Sequence, residues 1–91
     1  MIHRRTRADK VRVTFSLPSS DLAGPVSLVG DFNDWTPGTH ELRRRSNGHH
    51  SVAVDLQPGE PVLFRYLAHG GRWFDDPDAD ETNPRGGVLH P

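Results

Sequence analysis

Nine glycines and eight prolines interrupt this 91-residue chain. They fall about every ten residues, the turn spacing of a sandwich or barrel built from short strands. No segment between them keeps a helical period. Several alternate instead. Val11, Val13, Phe15 and Leu17 are apolar while Arg12, Thr14 and Ser16 are polar, the pattern of a strand with one buried face.

The same reading continues along the chain. Val26-Ser27-Leu28-Val29 is a second strand, stopped at Gly30 after the turn-forming stretch 18–25. Phe32 to Gly38 is a turn-rich connector carrying two large rings. Leu42 belongs to a short strand ending at Ser46-Asn47-Gly48, where Asn-Gly suits positive φ. Val52, Val54 and Leu56 alternate with Ala53 and Asp55. Residues 62–68 form the strongest strand, with Phe64 and Tyr66 on one face and Leu63, Arg65 and Leu67 on the other. Gly70-Gly71 turns the chain back through Arg72-Trp73-Phe74, residues 75–87 read as polar loop, and residues 87–90 as a final edge strand. The expectation is an all-β, immunoglobulin-like sandwich of two antiparallel sheets with six to seven short strands. Residues 1–10 read as a basic extension and 11–91 as the domain; Met1 ahead of that extension points to a free-standing protein, with a fragment of a larger enzyme as the alternative.

A chain of this size buries a modest core, about 60–65% of its unfolded surface. Without cysteine it has neither disulfides nor a thiol nucleophile, which suits the cytoplasm. No apolar run is long enough to span a membrane or form a signal-peptide core. The net charge of −1 gives no field to gather nucleic acid or anionic lipid. Charge is nonetheless clustered. Arg4, Arg5, Arg7, Lys10 and Arg12 crowd the start, Arg43-Arg44-Arg45 form a second basic run, and Asp75, Asp76, Asp78, Asp80 and Glu81 an acidic stretch. All three read as solvated ends and loops. The basic start lacks interleaved aromatics, so no nucleic-acid partner is expected.

Six histidines lack ligand spacing and cysteine partners, and His49-His50 would point to opposite faces of a strand. The acidic stretch lacks the spacing of a calcium loop. Neither metal nor cofactor is expected. A pair of carboxylates suffices for glycoside hydrolysis, but that needs a deep cleft around a distorted sugar, which a thin sandwich does not offer. Nucleophile-elbow and phosphate-loop motifs are missing as well. The chain reads as a non-enzyme.

The rings say more. Phe15, Phe64 and Tyr66 fit the core, whereas Trp35 and Trp73 lie in turn-rich stretches beside Phe32 and Phe74. One ring of each pair can anchor the chain while the other stays exposed. An exposed indole is an apolar platform with a polar edge, and it matches the C–H face of a pyranose. Arg65, on the non-core face of its strand, can donate to neighbouring hydroxyls through its planar fork.

The block Val26-Ser27-Leu28-Val29-Gly30-Asp31-Phe32-Asn33-Asp34-Trp35 resembles carbohydrate-binding module family 48. That family includes the N-terminal early-set domain of isoamylase and the glycogen-binding domain of the AMP-activated protein kinase β subunit. The likeness continues through Leu56-Gln57-Pro58-Gly59-Glu60, Phe64-Arg65-Tyr66, Gly71-Arg72-Trp73 and Asp76-Pro77, covering about residues 11–90. It implies an early-set immunoglobulin-like fold and a non-catalytic module binding α-1,4-glucan oligosaccharide or polysaccharide, glycogen or starch. It also implies that Trp35 and Trp73 stack on glucose rings, that Arg65 contacts hydroxyls, that Phe32 anchors the loop and that Asn33 holds its turn.

The chain departs from glycogen-binding members twice. Its hairpin at His69-Gly70-Gly71 is one residue longer, which would shift Trp73 relative to Trp35. Where those members carry an asparagine in the last strand, this chain aligns Leu89, with Asn83 the nearest amide. Many family members packed against a catalytic barrel bind no sugar. This leaves a second reading, a protein-interaction or regulatory module whose exposed rings, with Leu63 and Leu67, meet a glycogen-metabolising enzyme or a kinase.

Overall fold

Cross-strand register turns the alternating residues into a core. In the computed structural model, which describes residues 1–22 and 24–91, strand β2 (Lys10–Pro18) pairs antiparallel with β5 (His49–Leu56). Val11 thereby lies opposite Leu56, Val13 opposite Val54 and Phe15 opposite Val52, all on one face. β1 (Ile2–Arg7) and β4 (Arg43–Arg44) complete a sheet ordered β1-β2-β5-β4.

The second sheet is built on β6 (Val62–Ala68). β3 (Val26–Gly30) takes one edge. β7 (Arg72–Phe74) and β9 (Gly86–Leu89) share the other, pairing with the end and the start of β6 respectively, and β8 (Glu81–Asn83) lies outside β9. Both sheets are antiparallel and the fold is an immunoglobulin-like sandwich. Val26, Leu28, Phe64, Tyr66 and Leu89 meet Val11, Val13, Phe15, Val54 and Leu56 between the layers. No described helix is long and apolar enough to cross a membrane.

One segment belongs to both sheets. The Leu28 N–H donates to the His40 carbonyl at 2.8 Å and the Leu42 N–H to the Val26 carbonyl at 2.9 Å, covering the open edge of β3. The next two residues, β4, pair with β5 of the opposite sheet. Leu42 itself is buried, so the crossing is anchored in the core.

Four expectations are corrected. The first ten residues are not an extension: Ile2–Arg7 is a strand whose register places Ile2 against Phe15 and Arg4 against Val13. The polar loop contains β8. This makes β9 an interior strand, and the described residues form nine strands rather than six or seven. The acidic stretch is not wholly solvated, because Asp76 is fully buried and accepts hydrogen bonds from the Tyr66 hydroxyl (2.6 Å) and the Asp78 N–H (2.8 Å). Burial, and then this bond to a carboxylate, raise the Tyr66 pKa far above its ordinary value. Asp80 accepts from the His90 N–H (2.7 Å) and from Arg4 (2.6 Å), joining the two sheets beside β1 and β8. Ala23, within the expected turn 18–25, lies outside the described residues.

Candidate functional site

At the end of β3 the backbone of Gly30 comes so close to β6 that a Cβ there would lie 2.5 Å from the Leu63 carbonyl oxygen. Only glycine fits. The chain then tightens into a single 3-10 turn, Asp31–Asn33. Asn33 secures it, accepting from the Gly30 N–H (3.1 Å) and donating to the Leu28 carbonyl (2.9 Å) and His40 Nδ1 (3.0 Å). Phe32 packs against the core, its ring 6.5 Å from that of Phe15.

Next come two residues in the left-handed region, Asp34 at φ 54° and Trp35 at φ 57°. For a bulky side chain this conformation costs on the order of 1–3 kcal/mol. Trp35 is held there by its own N–H, which donates to the Gly30 carbonyl at 3.0 Å, and by its indole Nε1, which donates to Asp31 Oδ1 at 3.2 Å. The second oxygen of Asp31 accepts from the Leu63 N–H at 3.0 Å, tying the loop to the start of β6. The indole is half-buried and outside the core.

Trp73 is placed by sheet alternation. In β7, Phe74 lies opposite Tyr66 and stacks on it at 5.1 Å inside the sandwich, so Trp73, opposite Leu67, faces outward and is 49% exposed. The three-residue turn at 69–71 closes without disturbing this register; Gly70 and Gly71 supply its positive φ angles.

Arg65 lies between Leu63 and Leu67 on the outward face of β6. Its Nε donates to Asp75 Oδ1 (3.0 Å) and its Nη2 to the Pro84 carbonyl (3.2 Å). Gly86, at φ 144°, makes room for the stem: a Cβ there would lie 2.8 Å from Arg65 Cγ. Among the described residues, nothing else accepts from the Nη1 pair or the second Nη2 hydrogen. Trp35 is tethered at Leu63 and Trp73 stands beside Leu67, a span of about 13 Å along the strand. Arg65 is midway.

The peripheral candidates fare differently. Leu89 is fully buried in the core, and the outward position of β9 is Val88, opposite Leu63. Both Asn33 amide hydrogens are already engaged within the turn. Asn83 is exposed on β8, two strand spacings or about 10 Å from β6; its side-chain oxygen accepts from the Arg85 N–H at 2.8 Å. Sequence reasoning missed Asp31 and Asp75, which fix Trp35 and Arg65. The signal for Asp31 was its place within the glycine-to-tryptophan block; for Asp75 no local signal existed. The described residues contain no cluster of His, Asp or Glu arranged to hold a metal.

No family model matches the chain. Among curated proteins it is similar to the 1,4-alpha-glucan branching enzyme GlgB of Salinibacter ruber, with 42% identity over 65 residues, 68% of this chain and 10% of the enzyme. It is similar to the enzyme of the same name from Deinococcus radiodurans, 43% identical over 54 residues, 58% of the chain and 8% of the enzyme. A chloroplastic/amyloplastic 1,4-alpha-glucan-branching enzyme of Oryza sativa is 28% identical over 60 residues, 58% of the chain and 7% of the enzyme. The chain spans about a tenth of the length of the curated relatives it matches, so what it shares with them is a domain-sized segment of a branching enzyme.

Proposed function

We propose that this chain is a non-catalytic α-glucan-binding module of the glycogen-related kind, similar to carbohydrate-binding module family 48. The observation that carries this reading is the strained backbone at Trp35. A bulky residue is kept at positive φ, with its indole pinned by Asp31, where glycine or asparagine would sit at lower cost. Strain of this kind persists where the side chain has a task. Trp73, bare on the outward face, and Arg65, braced by Asp75, supply the other elements of a sugar surface. The rings meet the apolar faces of two glucose units, and the free guanidinium hydrogens orient their hydroxyls. The relatives are named for action on 1,4-α-glucan, which supports the choice of polymer. The module holds the glucan and leaves chemistry to an associated enzyme.

Titration of intrinsic tryptophan fluorescence with maltoheptaose or β-cyclodextrin tests this. The native chain responds saturably, and Trp35→Ala or Trp73→Ala suppresses the response while the strand signal in circular dichroism persists. If millimolar sugar leaves the native chain unchanged, glucan binding is rejected, and the apolar patch of Trp73, Leu63 and Leu67 becomes a protein contact.

A further inference from the structure

The two basic runs, far apart in sequence, come together on one surface. The register that turns Val11, Val13 and Phe15 inward turns Lys10 and Arg12 outward. It also turns Arg5 and Arg7 of β1 outward, and β4 adds Arg43, opposite Ser51. Arg45 joins them through its Nε, which donates to Ser51 Oγ at 3.0 Å. Among the described residues, six cations therefore share the outward face of the β1-β2-β5-β4 sheet with one carboxylate, Asp55, already paired to Arg12 at 3.1 Å. A chain of net charge −1 is thus polarised.

This face carries a repulsion that folding does not relieve. Arg5 lies directly opposite Arg12, and Arg7 directly opposite Lys10, and like charges facing each other across strands destabilise a sheet. Among the described residues, Arg5, Arg7, Lys10 and Arg43 have no carboxylate partner. An anionic surface laid on the face removes the repulsion, so binding is favoured by what the isolated fold leaves unsatisfied.

We propose that the outward face of the β1-β2-β5-β4 sheet is a docking face for an acidic protein surface, used independently of the rings on the other sheet. Arginine supplies all but one of its cations, and arginine is enriched at protein interfaces where lysine is depleted. Its forks suit carboxylates. The centre is made of the small residues Thr14, Ser51 and Ala53, which leaves it flat. Nucleic acid fits less well. Among the described residues, this face has no aromatic ring for bases to stack on, and a flat sheet face does not enter a major groove as a helix or ribbon does. The face measures about 15 by 25 Å. At about 400 Å² per partner it matches a transient, salt-sensitive contact rather than a permanent dimer.

The test is fluorescence anisotropy of labelled poly-L-glutamate with the full chain at about 50 mM salt. The native chain binds, and added salt weakens the binding. Arg5→Glu with Arg43→Glu weakens it about tenfold, while Arg85→Glu, on the other sheet, leaves it unchanged, and the fluorescence response to maltoheptaose is the same in all three. Arg5→Gln with Arg43→Gln provides the same comparison if the charge reversal impairs folding. Absence of binding by the native chain overturns the proposal. So does equal weakening by Arg85→Glu, or tighter binding to a DNA duplex of equal charge.

Discussion

One oxygen of Asp31 accepts the indole N–H of Trp35 at 3.2 Å. Its other oxygen accepts the Leu63 N–H, so a single carboxylate sets the ring against the strand that carries Arg65. Asp31→Ala frees the ring and leaves the Leu63 amide to water. Chemical denaturation should show a loss of about 1 kcal/mol. Maltoheptaose affinity should fall several-fold more than stability predicts, because the ring is no longer pre-oriented. Unchanged affinity would mean that the ring needs no such support.

Trp35→Gly separates strain from recognition. Removing the side chain relaxes a left-handed conformation, so the variant should be as stable as the native chain or up to about 1 kcal/mol more stable, while its glucan response disappears. Urea midpoints and sugar titrations on one preparation read both outcomes. A marked loss of stability would show that the ring acts mainly as packing.

Ala8 offers a similar test away from the rings. It sits at φ 51° in the two-residue turn between β1 and β2, a position that favours glycine. Ala8→Gly should raise stability by about 0.5–1 kcal/mol, visible as a higher melting temperature with sugar binding unchanged.

Tyr66→Phe leaves the buried Asp76 carboxylate without its 2.6 Å hydroxyl donor. The Met1 ammonium, 3.6 Å from the same oxygen, compensates only in part; loss of a hydrogen bond to a buried carboxylate costs about 1–3 kcal/mol, and the urea midpoint should drop accordingly. A variant of native stability would indicate that water replaces the hydroxyl.

The His90 N–H, and then Arg4, hold the Asp80 carboxyl below its ordinary range. An unfolded aspartate titrates near about pH 4. Because the folded value is the lower one, the stability Asp80 contributes is complete above that pH and is lost as pH falls through the folded value. Asp80→Asn should therefore flatten the fall of melting temperature with acidification below about pH 4. Parallel curves for the variant and native chains would exclude the effect.

Period-two alternation made the sandwich legible, since the residues that alternate in β2, β5 and β6 are those that meet in the core. Trp73 stands out in the sequence by its turn-rich surroundings and its neighbour Phe74; the alternation that turns it outward is visible only once β7 is paired to β6. What stayed hidden depended on partners distant in sequence. β1 carries arginines where a buried strand carries apolar residues, and it is a strand because β2 offers an unpaired edge. β8 is three exposed residues, Glu81–Asn83, paired only to β9, so no periodicity marks it. Asp76 looks like any loop aspartate until Tyr66 is placed over it. Aligned by sequence alone, Leu89 occupied a sugar-contacting position; strand parity puts it on the core side and Val88 on the other.

The crossing from His40 to Arg44 bears on how the molecule avoids aggregation. An uncovered strand edge is a template for pairing with other chains, and β3, with its run of Val26, Leu28 and Val29, would be a dangerous one. The crossing occupies it. The edge at β1 is lined with arginine, and the one at β8 is only three residues long. Loosening the crossing, for instance by proline at Leu42, whose amide bonds to β3, should therefore raise the tendency to aggregate, read as increased light scattering at equal concentration.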